Sequence, residues 1–231
     1  AKEICILPKI QSRLNLKIPD FELIGMDSNT ETLFVGYKQI KGTFLTKQVF
    51  NNLPKEIQEK SLAEIALFFG DLHTFTVEEI EDCNLEIIDF YQDYKQDYQI
   101  LKNCIFERIT FKEKELIDRI FCDYLDNSEN FNYIPCLLHN DLSSDHIIFD
   151  TDSNRVNGII DFGDIAIGDP DYDLMYLLDD LGNDFIERLF KYYSYIDRDR
   201  LRRKLKFFQI ADAVQLAIAG LNDRDSQKKN E

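Results

Sequence analysis

The sequence predicts an α+β fold with two parts: a small strand-bearing N-terminal piece, 1–41, and a larger, mainly helical C-terminal piece, 42–231. Three observations predict it. Apolar residues recur at spacings of three and four over 54–75, 113–124, 174–181 and 201–221, the mark of helices with one buried face. Short apolar runs at 21–25, 32–37, 146–149 and 156–162 are separated by turn formers, which reads as two hairpins. A chain of 231 residues with 44% hydrophobic content can bury one substantial core, or one core and a small lobe.

In chain order, 2–7 reads as helix with Glu3 in its first turn, where an acid favours the helix dipole. From Pro19 the chain looks extended. The runs FELIG and TLFVGY flank Asp27-Ser-Asn29 and form the first hairpin, and 38–42 connects it to the larger piece. Thr46 or Asn51 caps the next segment. Residues 54–75 carry the stripe Leu62, Ile65, Phe69, Leu72, and His73 at its end reads as structural. Residues 75–104 are acidic and Tyr-rich and read as a helix with one wet face. Its aromatics pack, or line a substrate cleft. Residues 113–124 form another helix, with Leu116, Ile117, Ile120 and Phe121 inward, and Pro135 breaks the chain before the next segment. Asp169-Pro-Asp171 is expected to open a helix: Asp can cap, and Pro suits the first turn. Leu174, Leu177, Leu178 and Leu181 are its buried stripe. The last helix, 201–221, carries Asp212 inside an apolar stretch, where a carboxylate wants a partner. Residues 222–231 are polar and are expected to fray.

Charge narrows the function. There are 43 acidic against 27 basic residues, net −16, so nucleic acid is not an expected partner, since phosphate binding needs a basic face. A polycationic small molecule suits such a field, although acidity can also serve solubility alone. No apolar run reaches membrane-spanning length, and the first residues lack a signal-peptide layout. The five cysteines are scattered, with no metal spacing. They read as reduced packing residues of a cytoplasmic protein.

The segment 136–173 carries the chemistry: CLLHNDLSSDHIIFDTDSNRVNGIIDFGDIAIGDPDYD. If its hairpin folds back near 152–153, Asp161 lies roughly opposite Asp145 and His146. One edge then gathers Asp141, His146, Asp161 and Asp164. Ionised carboxylates so close repel one another, and a divalent cation removes that cost. Oxygen ligands on a rigid hairpin suit Mg²⁺, which also keeps waters and takes phosphate oxygens. The bland alternative is a solvated loop end with scattered acids.

His139-Asn-Asp141, followed twenty residues after Asp141 by Asp161-Phe-Gly163, is similar to the catalytic loop and D-F-G of protein kinases. HNDLSSDH, GIIDFGDIAIGDPDYD and VGYKQIKGTFLT resemble the aminoglycoside phosphotransferases, small-molecule kinases of protein-kinase-like two-lobe fold, and most the branch acting on the 2''-hydroxyl. The resemblance runs from near Glu3 to about Leu221. It implies Asp141 as catalytic base, Asp161 as Mg²⁺ ligand, and His146 where a metal-binding Asn is expected, though imidazole is softer than Mg²⁺ prefers. Ser144 would face the γ-phosphate or steady its turn. His139 and Asp173 would support the catalytic loop, and Asp164, Asp179, Asp180 and Asp212 would hold the cationic aminoglycoside. Lys38, Gln39 and Ile40 would offer hinge backbone to the purine. Tyr37 sits at the gatekeeper place, which points to GTP, with ATP as the alternative. Glu3 matches the helix Glu that pairs with a strand Lys. That Lys and a glycine-rich loop are absent from the sequence, so a truncated N-terminal β lobe is expected. The resemblance also implies a monomer and resistance to the drug.

Three alternatives stay open: a kinase of choline, homoserine or another small alcohol; a pseudokinase-like binding protein; and a metal-dependent phosphohydrolase. A choline kinase should show an aromatic cage, and the chain has no Trp. A pseudokinase fits the absent Lys but not the presence of both Asp141 and Asp161. A phosphohydrolase would lack the hinge-like segment 37–42.

Overall fold

The computed structural model describes residues 2–193 and 197–228, with side chains as far as 220. Helix α1 (Lys2–Ile10) buries Ile6, Leu7 and Ile10. Strands β1 (Phe21–Met26) and β2 (Leu33–Tyr37) form the first expected hairpin, paired from Phe21↔Tyr37 to Met26↔Leu33. Asp27 closes its turn by accepting from the Asn29 N–H at 2.8 Å. Leu23, Ile24, Met26 and Phe34 of this hairpin are exposed. Strand β3 (Thr43–Phe44) comes next, then α2 (Lys47–Asn52), where Thr46 Oγ1 accepts from Val49 N–H at 3.3 Å. Thr46 is thus the cap, and Asn51 lies inside the helix.

Helix α3 (Lys55–Leu72) buries the expected stripe Leu62, Ile65, Phe69 and Leu72. The stretch expected as one helix over 75–104 is broken. Short α4 (Val77–Ile80) has a Thr76–Glu79 capping box, and α5 (Phe90–Cys104) begins only where Asp89 caps it. Phe90, Tyr94, Tyr98 and Leu101 of α5 are buried, so these aromatics pack. Helix α6 (Phe111–Leu125) is fixed by a Thr110–Glu113 capping box; of its expected stripe Phe121 is buried, Ile117 and Ile120 are half-buried and Leu116 is exposed, because the packed face runs on to Tyr124.

Strand β4 (Cys136–Leu138) leads to β5 (Ile147–Asp150), β6 (Arg155–Ile159) and β7 (Ala166–Gly168). Helices α7 (Met175–Leu181), α8 (Asn183–Leu189) and α9 (Arg198–Lys228) complete the order. The helix expected from Asp169 starts later. Asp169 Oδ1 accepts from Asp171 N–H at 3.1 Å, a one-turn 3₁₀ segment spans Tyr172–Leu174, and α7 begins at Met175. The tail expected to fray, 222–231, has its side chains outside the described residues, and 229–231 lie outside them entirely.

The chain divides into two units, 1–87 with 135–196, and 88–134 with 197–231. The boundary drawn from sequence at 41/42 falls within the first. That unit holds three small antiparallel sheets: β1-β2, β3-β5-β6 and β4-β7. Its core includes Phe68, Phe69, Phe149, Phe162, Phe185 and Phe190. The second unit packs α5, α6 and α9 around aromatics, with the Tyr124 and Phe207 rings stacked at 3.5 Å and Tyr98 stacked on Phe121 at 5.1 Å.

The reading of all five cysteines as reduced is corrected. Cys5 of α1 and Cys83 are joined in a disulfide, 78 residues apart in sequence. The remaining three, Cys104, Cys122 and Cys136, are free thiols. No helix among the described residues is long and apolar enough to cross a membrane.

Candidate active site

Two loops carry the site, and the same two sheets bound both. Loop 139–146 joins β4 to β5, and loop 160–165 joins β6 to β7. Because β4 pairs with β7 and β5 with β6, the loops leave their sheets side by side. The β5–β6 register is Ile147↔Ile159, and Ile160 N–H donates to His146 C=O at 3.0 Å. Asp161 is therefore across from Asp145 and His146, as the fold-back required.

Direct bonds join the loops. His139 is fully buried, and its Nε2–H donates to Ile160 C=O at 3.1 Å. Burial pushes its imidazole down to about 4, so it is neutral at pH 7. Its Nδ1 has no partner among the described residues. Asn140 Nδ2 donates to Asp164 C=O at 3.1 Å. Both loops pass through left-handed backbone, with φ of 69° at Asn140 and 65° at Asp161. Non-glycine residues hold such conformations only where the surroundings over-determine them.

Asp173 is the anchor beneath. Its side chain has no exposed surface. One oxygen accepts from His139 N–H at 3.1 Å and from His73 Nε2 at 2.9 Å. The other accepts from Asn140 N–H at 2.7 Å. Three donors satisfy a carboxylate that burial alone would penalise. His73 Nδ1 lies 3.0 Å from Tyr193 Oη, so the residue read as structural belongs to the support of this loop.

The carboxyl of Asp141 is pushed above the usual range, chiefly by burial and then by Asp164, Asp161 and Asp145, with His146 opposing. A carboxyl raised in this way is a stronger base when it does ionise. His146 Nδ1 sits 2.7 Å from Asp141 C=O, which can only accept, so Nδ1 carries the proton. In the neutral imidazole Nε2 is then a lone pair, and it faces Asp161 Oδ2 at 3.5 Å. Two acceptors facing each other is the arrangement a divalent cation resolves, so Asp161 and His146 fit a metal. Their neighbourhood is not a closed protein cage. Among the described residues, the one group of three His, Cys, Asp or Glu ligand atoms within 4.8 Å of one another is Cys5, Asp82 and Cys83, and its two sulfurs are bonded together. A cation at Asp161 would complete its shell with waters and phosphate oxygens, as Mg²⁺ does.

Glu3 and Tyr37 belong to the same neighbourhood. Burial raises the Glu3 carboxyl, and the Asp161 charge raises it further. Burial raises the Tyr37 hydroxyl, with Glu3 and Asp161 adding to it. Tyr37, Gln39 and Ile40 line a cleft of about 450 Å³ with Gly42, Thr43, Phe44, Ile148 and Ile160. Gly42 has φ of 145°, and a Cβ there would meet Phe149 C=O at 2.5 Å, so only glycine lets the connector lie against β5. The Lys38 side chain turns elsewhere, to Glu22 Oε1 at 2.6 Å, which leaves only its backbone to serve the cleft. Sequence reasoning missed the apolar wall of Phe44, Ile148 and Ile160. The run of apolar residues immediately before Asp161 was the available signal.

The remaining acids divide. Asp164, Asp179 and Asp180 are exposed in the first unit. Asp180 Oδ2 accepts from Ser144 N–H at 2.7 Å, which ties α7 to the loop. Asp212 is half-buried on α9 of the second unit.

The family model described as "Phosphotransferase enzyme family" (APH) matches residues 15–207. Among solved structures, the chain is similar to the GDP and kanamycin complex of APH(2'')-IIIa at 31% identity and TM-score 0.89, covering 98% of this chain and 76% of that one. The GDP complex of wild-type aminoglycoside 2'-phosphotransferase-IIIa matches at 30% identity and TM-score 0.91, with 98% and 76% coverage. ADP-bound APH(2'')-Ib matches at 28% identity and TM-score 0.75, with 99% and 78% coverage.

Proposed function

This chain belongs to the phosphotransferase enzyme family and has its kinase-like fold, and on that premise we propose that it transfers the γ-phosphoryl group of a nucleoside triphosphate to the 2''-hydroxyl of an aminoglycoside, conferring resistance. The observation that carries the reading is the pinning of the Asp141 and Asp161 loops to each other through His139–Ile160 and Asn140–Asp164, with Ile160 lining the cleft next to Asp161. The similarity to complexes with GDP, ADP and kanamycin supports the choice of donor and acceptor.

In this reading the purine enters the cleft of Tyr37, Gln39 and Ile40, and the backbone at 38–40 meets its edge. The Tyr37 ring crowds an adenine amino group, which favours GTP over ATP. Asp161 and His146 would hold Mg²⁺, which neutralises charge on the phosphates when bound. Asp141 accepts the proton of the drug hydroxyl as its oxygen bonds to the γ-phosphorus. The bond to the β–γ bridging oxygen breaks, and the nucleoside diphosphate leaves. Little covalent help is needed, so positioning dominates, and Asp173 supplies it by fixing the backbone just before Asp141. Ser144 offers a hydroxyl donor to the transferred group. Asp164, Asp179 and Asp180 offer carboxylates to the drug's ammonium groups, within a net charge of −16 that steers a polycation inward. The enzyme acts as a monomer.

The test is incubation of the protein with kanamycin, Mg²⁺ and GTP or ATP labelled at the γ-phosphorus. Label on the 2''-oxygen of kanamycin is the expected result. Label on choline or homoserine instead, or none transferred, overturns the proposal.

A further inference from the structure

Residues 144–146 form a single 3₁₀ turn between Asp141 and β5. The first N–H groups of any helical turn lack internal partners and need a cap. Ser143 stands at the capping position, and serine there ordinarily caps with its hydroxyl. Here it does not: Ser143 Oγ donates to Asp145 Oδ1 and meets His146 Nδ1 at 3.1 Å. The Ser144 N–H is instead satisfied from another element. Asp180 Oδ2, near the end of α7, accepts it at 2.7 Å across 36 residues of sequence. The other Asp180 oxygen makes no hydrogen bond among the described residues, although the side chain is exposed and free to take one.

We propose that Asp180 is a positioning residue: one carboxylate oxygen caps the catalytic loop at Ser144, while the other receives a substrate ammonium group, so that drug binding and loop order are coupled. The ammonium half of this rests on the aminoglycoside reading above; the capping half does not. A cation on the free oxygen keeps the carboxylate in place, and a fixed carboxylate holds the turn just after Asp141. By linkage, whatever orders the turn also tightens the drug. Asp180 thereby differs from Asp164, whose side chain caps no turn of the loop among the described residues.

Two substitutions separate capping from plain charge. Asp180→Asn keeps an oxygen that can accept from Ser144 N–H but loses the charge; Asp180→Ala loses both. In protein labelled with ¹⁵N-serine, hydrogen exchange at the Ser144 amide is followed by NMR in wild type and both variants, with and without kanamycin. Without drug, Asp180→Ala is expected to speed exchange by about tenfold, and Asp180→Asn to stay within about threefold of wild type, the scale of losing or keeping one charge-assisted hydrogen bond. Kanamycin is expected to slow exchange in wild type only. In turnover, Asp180→Asn raises KM for the drug at near-normal kcat, while Asp180→Ala also lowers kcat by about tenfold. A drug ligand with no positioning role would give the same kcat in both variants. Equal Ser144 exchange in wild type and Asp180→Ala overturns the proposal. If no transfer to kanamycin occurs at all, the exchange comparison without drug still decides the capping, and the failure then belongs to the aminoglycoside reading.

Discussion

Asp173 is the place where one substitution should cost most. Asp173→Ala removes a carboxylate with no exposed surface and strands the His139 and Asn140 N–H groups, which it holds at 3.1 and 2.7 Å. It also strands His73 Nε2, but the ring can carry its proton on Nδ1 and donate to Tyr193 Oη, so this loss counts for less. Each buried N–H left without an acceptor costs roughly 1–3 kcal/mol. Two stranded donors at about 2 kcal/mol each put the loss at about 4 kcal/mol. At roughly 2–4 °C per kcal/mol for a chain of this size, Tm should fall by about 8–16 °C. Asp173→Asn keeps one accepting oxygen and should lose about half of that. Thermal unfolding followed by circular dichroism reads both. Asp141→Ala is the control, because the Asp141 carboxylate makes no side-chain hydrogen bond among the described residues and burial already disfavours its charge. An Asp173→Ala protein melting within about 2 °C of wild type would refute the reasoning, since the loop would then be held by something else.

Three further outcomes are expected. His139 titrates near 4 when folded and near 6.5 when unfolded, so the unfolded chain takes up the proton first as pH falls. Its contribution is fully present above pH 6.5 and is lost towards pH 4, about 3 kcal/mol in all. Urea midpoints of His139→Gln should therefore depend less on pH over that window than those of wild type, and parallel curves would contradict this. The Cys5–Cys83 bond closes a loop of 78 residues and should stabilise by about 4 kcal/mol on chain-entropy grounds. Thiol titration in denaturant without reductant should find three of the five thiols, and Cys5→Ser should lower Tm; five reactive thiols would show that the bond does not form. Tyr37→Ala should shift the kcat/KM ratio of GTP to ATP towards ATP by about tenfold, and an unchanged ratio would free Tyr37 of any part in selecting the base.

The sequence carried the site further than it carried the scaffold. The 146–162 hairpin was legible because turn formers at 150–154 end both strands, and antiparallel pairing then brings Asp161 near Asp145 and His146; the irregularity between Ile148 and Phe149 that shifts the pairing by one was not. The helical stripes of α3 and α7 were legible because burial on one face imposes its period on the side chains; that of α6 was read one turn too early, since Leu116 is exposed and Tyr124 is buried with Phe121. Strands β4 and β7 were not: Cys136–Leu138 and Ala166–Gly168 are three residues each and fully buried, too short and too uniformly apolar to show alternation. Helix α8 escaped because its signal is one glycine, Gly182, at φ of 87°. The disulfide escaped because pairing across 78 residues leaves no local pattern. The Lys38 side chain and the second duty of Asp180 depend on tertiary contacts, with Glu22 and Ser144, that no periodicity reports.

The central claim is that Asp141 takes the proton of the attacking hydroxyl. Comparing Asp141→Ala with wild type for γ-phosphate transfer to kanamycin, and separately for kanamycin binding by calorimetry, tests it most directly. Transfer lower by about 10²- to 10⁴-fold with the drug still bound at near-normal affinity is the expected result. Transfer retained at the wild-type rate would contradict it.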